Sequence, residues 1–85
     1  MAKLPRIAGA ALIKVLERCD FRIVRQRGSH IVLQKRDATG VLTTVVPDHR
    51  ELATGTLRAI LKQTRLSPED LLRLLTLVLG TSFLK

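Results

Sequence analysis

The period of the hydrophobic positions changes twice along the chain. Leu12, Val15, Leu16 and Cys19 recur at i, i+3, i+4 and i+7, with Lys14, Glu17 and Arg18 on the opposite side. This is the pattern of an amphipathic helix, predicted over roughly residues 8–19. From Phe21 the period becomes two: Phe21 and Ile23 flank Arg22, and the run reaches Arg27 before Gly28 and Ser29 supply turn chemistry. Ile31 and Leu33 then alternate with His30, Val32 and Gln34, which predicts a second strand returning on the first as a hairpin. Asp37 to Gly40 forms the next turn. The β-branched run Val41 to Val46 is the third strand, ended by Pro47, which has no N–H to give to a ladder. If Ile31 and Leu33 face the helices, the same period puts His30, Gln34 and Arg36 on the solvent side.

A polar segment, Pro47 to Ala53, separates the sheet from a second helix, predicted from Leu57, Ile60, Leu61 and Thr64 to start near Thr54 or Gly55. Ser67-Pro68-Glu69-Asp70 opens a third helix, predicted over 68–79. Ser67 caps, Pro68 suits the first helical position, and the acidic pair complements the positive end of the helix dipole. The predicted fold is α+β, in α-β-β-β-α order: a three-stranded antiparallel sheet with helices on one face and an extra C-terminal helix. No repeat or low-complexity linker interrupts the 85 residues, so a single domain over 1–85 is expected. The leucine-rich tail from Leu71 to Leu84 reads as core or as a homotypic surface, with a partner contact as the sharper alternative. Homo- or hetero-oligomers through that helix are thus left open.

Composition narrows the function classes. An apolar share of 46% argues for a folded chain despite a net charge of +8. Fifteen Lys and Arg against seven Asp and Glu attract polyanions: nucleic acid, an acidic membrane surface or an acidic protein. Charge alone does not choose among them. Cys19 is the only cysteine, which rules out an intrachain disulfide and favours a cytoplasmic home. Ile7 to Ile13 follows Lys3 and Arg6 like a signal-peptide core, yet Lys14 and Glu17 continue with helical spacing. Leu71 to Leu79 contains Arg73 and is shorter than the roughly 18 apolar residues of a membrane span, so no membrane association is expected. Phe21 and Phe83 are the only aromatics. Sheets that stack bases on several exposed rings are therefore excluded, and recognition through phosphate and 2′-hydroxyl contacts remains.

The densest chemistry lies in Arg25-Gln26-Arg27-Gly28-Ser29-His30, two guanidinium groups and an imidazole around one turn. Forked donors suit phosphate, and Gly28 lets backbone N–H groups approach an anion. Lys35 and Arg36, farther along the second strand, are expected to extend the positive track. An imidazole such as His30 is able to take a proton from a 2′-hydroxyl and so start attack on the adjacent phosphodiester. A solvated hairpin with a structural histidine is the competing reading of the same residues. His49, in Pro47-Asp48-His49-Arg50-Glu51, reads as a locally bonded loop histidine, with second proton donor or RNA contact as the minority reading. The scattered carboxylates fit no metal-ligand spacing, so neither metal nor cofactor is expected.

Taken together, Leu4-Pro5, Ile7, Gly9, Ile13-Lys14, Leu16, Phe21, Val24-Arg25-Gln26, Gly28-Ser29-His30, Thr44-Val45-Val46-Pro47, His49, Glu51-Leu52, Gly55 to Leu61 and Leu66-Ser67 resemble the HicA-type toxins. The resemblance covers about residues 4–75. It implies a double-stranded-RNA-binding-like fold and a ribosome-independent, mRNA-cleaving toxin neutralised by a HicB-type antitoxin, with His30 at the position of the catalytic histidine. The chain differs from the family pattern in Ala8 before Gly9, where serine is usual, in Asp20, where glycine precedes the phenylalanine, and in Leu71, where an aromatic closes the last helix. The leading expectation is a metal-independent mRNA endoribonuclease. His30 would be catalytic, and Arg25, Gln26, Arg27, Gly28, Ser29, Lys35 and Arg36 would hold RNA. The alternatives are a non-catalytic double-stranded RNA or DNA binding module using the same basic face, and a basic adaptor for an acidic protein.

Overall fold

A computed structural model describes residues 3–80. Its elements are α1 (Gly9–Arg18), β1 (Arg22–Arg27), β2 (His30–Asp37), β3 (Gly40–Pro47), α2 (Thr54–Thr64) and α3 (Pro68–Leu79). Each predicted element is present, with boundaries within a residue or two. The tail residues beyond Gly80, Phe83 among them, lie outside the described part.

The three strands form one antiparallel sheet in the order β1-β2-β3. Helices cover one face over β2 and β3 and leave the other open, while β1, at the edge, is exposed along its length. Ile31, Leu33 and Val46 point from the sheet into the core, where they meet Leu12, Ile13, Val15 and Leu16 of α1, Leu57, Ile60 and Leu61 of α2, and Leu71 and Leu75 of α3. Leu71 and Leu75 of α3 are thus core material, packed beside α1, while Leu77 is exposed. The core also takes Ile7, Phe21 and Leu52, which stand outside any helix or strand. Leu52 N–H donates to the Ile7 carbonyl at 2.8 Å and Gly9 N–H to the His49 carbonyl at 2.9 Å. Two loops are thereby held side by side, an arrangement that periodicity has no means of showing. Thr44, buried on the helix side, is satisfied by donating to Gln63 Oε1 at 2.6 Å.

The helix ends follow from local chemistry. After α1, Asp20 adopts φ 72° while Asp20 N–H donates to Glu17 and Phe21 N–H to Leu16. This is a Schellman cap, closed by the apolar pair Phe21 and Leu16. The end of α2 repeats it: Arg65 has φ 60°, Arg65 N–H donates to Lys62 and Leu66 N–H to Leu61. At the start of α3 the expected cap is a reciprocal box, in which Ser67 Oγ accepts from Asp70 N–H at 3.0 Å and Asp70 Oδ2 accepts from Ser67 N–H at 3.1 Å. Among the described residues no helix is long and apolar enough to cross a membrane.

The fold is α+β, with a double-stranded-RNA-binding-like α-β-β-β-α arrangement and an added third helix.

Candidate nucleic-acid interface

The hairpin between β1 and β2 turns through Gly28 and Ser29 alone, with Arg27 and His30 as its closing pair. Gly28 has φ 55° and Ser29 is not in the left-handed region, the sign pattern of a type II′ turn whose first central position suits glycine. Two bonds hold the turn. Gln26 Nε2 donates to the Gly28 carbonyl at 3.0 Å, and Asp48 N–H donates to the Ser29 carbonyl at 2.6 Å. The second links the hairpin to the loop that carries His49.

Cross-strand register shows which residues share the open face. His30 lies between Arg27 and Pro47, Val32 between Arg25 and Val45, and Gln34 between Arg22 and Thr43, while Arg36 pairs with Val41. Arg22, Arg25, Arg27 and Arg36 therefore line the same open face as His30, and all five are exposed. None of the four arginines has an ion pair among the described residues. The field of the face is left for an outside anion.

Arg22 was not among the residues expected to hold RNA. A strict period of two puts Arg22 on the opposite side from Arg25 and Arg27. A β-bulge between Ile23 and Arg25 inserts Val24 and resets the phase, so that Arg22 returns to their side. Lys35 and Gln26 go the other way. Lys35 is one residue out of phase with His30 and Arg36, and its Nζ sits 5.8 Å from the centroid of the Phe21 ring on the helix side. Gln26 pairs with the core residue Ile31 and braces the turn. The positive track thus comprises Arg22, Arg25, Arg27 and Arg36, without Lys35.

Gly9 fixes the back of this region. A Cβ there would run into the Pro47 carbonyl oxygen and lie 3.1 Å from its carbon and 3.3 Å from Asp48 Cα. Only glycine lets the start of α1 seat against the strand end that pairs with His30. His49 is exposed, and its carbonyl accepts from Gly9 N–H. Cys19, half-buried at the end of α1, has its thiol pushed up mainly by burial, which keeps it protonated and a poor nucleophile.

At the far end of the face from His30, Asp20, Arg22, Val24, Gln34 and Arg36 line an open cleft of about 570 Å³.

A family model described as the HicA toxin of bacterial toxin-antitoxin matches residues 9–66, more than half of the chain. Comparison with curated proteins and with solved structures returned no match. The matched span runs from Gly9 through the Gly28-Ser29-His30 turn to Leu66, and so contains the sheet, its open face and the first two helices. The chain belongs to the HicA toxin family, whose members pair with HicB antitoxins.

Proposed function

We propose that the chain is an mRNA endoribonuclease, the toxin of a type II pair, and that His30 is its catalytic residue. The observation that carries this reading is the open face itself: one exposed imidazole at the hairpin rim, in register beside Arg27, with three further unpaired arginines along the same face. A neutral imidazole takes the proton of a 2′-hydroxyl; the freed oxygen attacks the adjacent phosphorus, closing a 2′,3′-cyclic phosphate; and the 5′-oxygen leaves, taking a proton from an acid or from water. Negative charge accumulates on the phosphoryl oxygens in that step. Arg27 and Arg25 are the guanidinium groups next to it, with the fork geometry that suits phosphate.

His49 is the second candidate for proton transfer, in the loop tied to the Ser29 carbonyl. Among the described residues no group of three His, Cys, Asp or Glu side chains is placed to hold a metal. The chemistry proposed here runs on side chains, and cleavage should persist in EDTA. The domain is taken to span residues 1–85 and to act in the cytoplasm, where its RNA and the HicB-type antitoxin are found.

The test is cleavage of a defined RNA by purified wild type and His30→Ala, with affinity measured alongside. The expected result is loss of cleavage by at least ~100-fold, as for removal of a general base, with affinity within about threefold because the arginines carry it. Cleavage retained by a folded His30→Ala protein would leave the open face as a binding surface without a catalytic histidine. Abolition by EDTA would contradict the side-chain mechanism.

A further inference from the structure

The cleft at the end of the open face is built unlike the rest of that face. Elsewhere the face offers arginines, valines, His30, Thr43 and Pro47, without a carboxylate. In the cleft, Arg22 and Arg36 are joined by the acid Asp20, by Gln34 and by Val24, whose side chain is exposed. A groove meant only for phosphate gains nothing from a carboxylate, which repels it. Asp20 is also held at a backbone cost: it takes φ 72°, a region that L-residues enter reluctantly and in which Asp and Asn are the better tolerated side chains. Among the described residues its carboxylate makes no ion pair and no side-chain hydrogen bond, although two arginines line the same cleft. Gln34 Nε2 donates to Thr43 Oγ1 at 3.3 Å, which leaves its amide oxygen as a second acceptor.

These groups match the edges of one nucleobase. Guanine carries two adjacent donors, N1–H and the N2 amino group, which a carboxylate accepts together. Its O6 and N7 are adjacent acceptors for a guanidinium fork. Adenine and cytosine offer only an amino group on that side, and uracil only one imino N–H. An apolar side chain such as Val24 suits the face of the base. The separation is also that of a remote subsite. Gln34 is four residues from His30 along β2, or about 13 Å at strand spacing. That is roughly four nucleotides at the ~3.4 Å spacing of a stacked strand, and fewer if the RNA is extended.

We infer that the cleft of Asp20, Arg22, Val24, Gln34 and Arg36 is a base-specific subsite for guanine, two to four nucleotides from the bond that His30 attacks. The inference rests on the reading of the open face as an RNA surface.

The experiment measures binding apart from cleavage. Oligouridylates made uncleavable by 2′-O-methyl groups, each with a single guanosine, adenosine or inosine, are titrated by fluorescence anisotropy against wild type, His30→Ala and Asp20→Asn. Asparagine tolerates the same backbone conformation, so the variant is expected to fold, and circular dichroism checks it.

Guanosine should raise affinity roughly tenfold over adenosine in wild type and in His30→Ala, with inosine between the two because it lacks the N2 amino group. Asp20→Asn should lose the preference while binding plain oligouridylate within about twofold of wild type.

A preference absent from wild type, or kept by Asp20→Asn, overturns the subsite and leaves the role of His30 untouched. If no salt-dependent RNA binding is seen at all, the RNA reading of the face falls and the subsite with it. If Asp20→Asn leaves RNA binding intact but weakens capture of the purified HicB antitoxin, the cleft serves the protein partner instead.

Discussion

His30 and Lys35 differ by five positions on one strand, and that odd number decides their roles. Residues an odd number apart face opposite sides, so the lysine belongs to the helix layer, above Phe21, and the histidine to the open face. Arg25→Ala should lower the steepness with which RNA affinity falls with salt by about 0.7, one phosphate contact on a single strand. Lys35→Ala should leave that slope unchanged; parallel binding titrations at several salt concentrations separate the two. Gly9 is the other residue whose identity is set by geometry. Gly9→Ala forces a methyl group against the backbone of Pro47 and Asp48, and should cost about 1–3 kcal/mol in urea unfolding, the range for overpacking a tight contact. The sequence alone shows Gly9 only as part of a family pattern. Its physical reason is a contact with the end of β3, 38 positions away.

The helix caps are short-range devices, and the sequence announced them unequally. Ser67-Pro68-Glu69-Asp70 was legible because every partner lies within one turn, and the reciprocal Ser67–Asp70 box is what formed. Ser67→Ala should cost about 1 kcal/mol of stability in denaturant titration. The hydrogen bonds that Asp70 accepts from Ser67, first from its backbone, hold the Asp70 carboxyl below its ordinary value of 3.8, as those from Thr39 do for Asp37. A folded pKa below the unfolded one adds stability above the unfolded value and loses it as pH falls through the folded value. Both contributions should thus fade below about pH 4, and an Asp70→Asn variant should show a shallower acid decline than wild type. The Schellman caps were harder to read, because their left-handed residues are Asp20 and Arg65 rather than glycine. At Arg65, a change to glycine relieves a left-handed cost of about 1–2 kcal/mol against extra unfolded-chain entropy of roughly 0.5–1 kcal/mol. Arg65→Gly should accordingly raise the melting temperature by a few degrees.

The bulge at Val24 is the element-scale feature that periodicity misses and the site depends on. A period of two run from the apolar Phe21 and Ile23 places Arg22 on the open side but Arg25 and Arg27 on the helix side; one inserted residue, Val24, brings all three to the open face. Strand number, order and the outward direction of His30 came from alternation alone. The loop pairing of Ile7 with Leu52 and of Gly9 with His49 did not, because backbone bonds between irregular segments leave no periodic trace.

At the scale of the whole molecule, a net charge of +8 is spread around a chain whose helices bury their apolar sides and whose sheet leaves one face open. The four arginines there form no ion pairs among the described residues, so RNA binding should depend steeply on salt, with a log–log slope near −3 if each meets one phosphate. The central claim is that this face cuts RNA through His30, and the most direct test is induced expression of wild type and His30→Ala in a bacterial host, following growth and the integrity of several abundant mRNAs. The account predicts growth arrest and fragmented mRNA with wild type and neither with an equally abundant, folded mutant. Arrest and fragmentation by both proteins would contradict it.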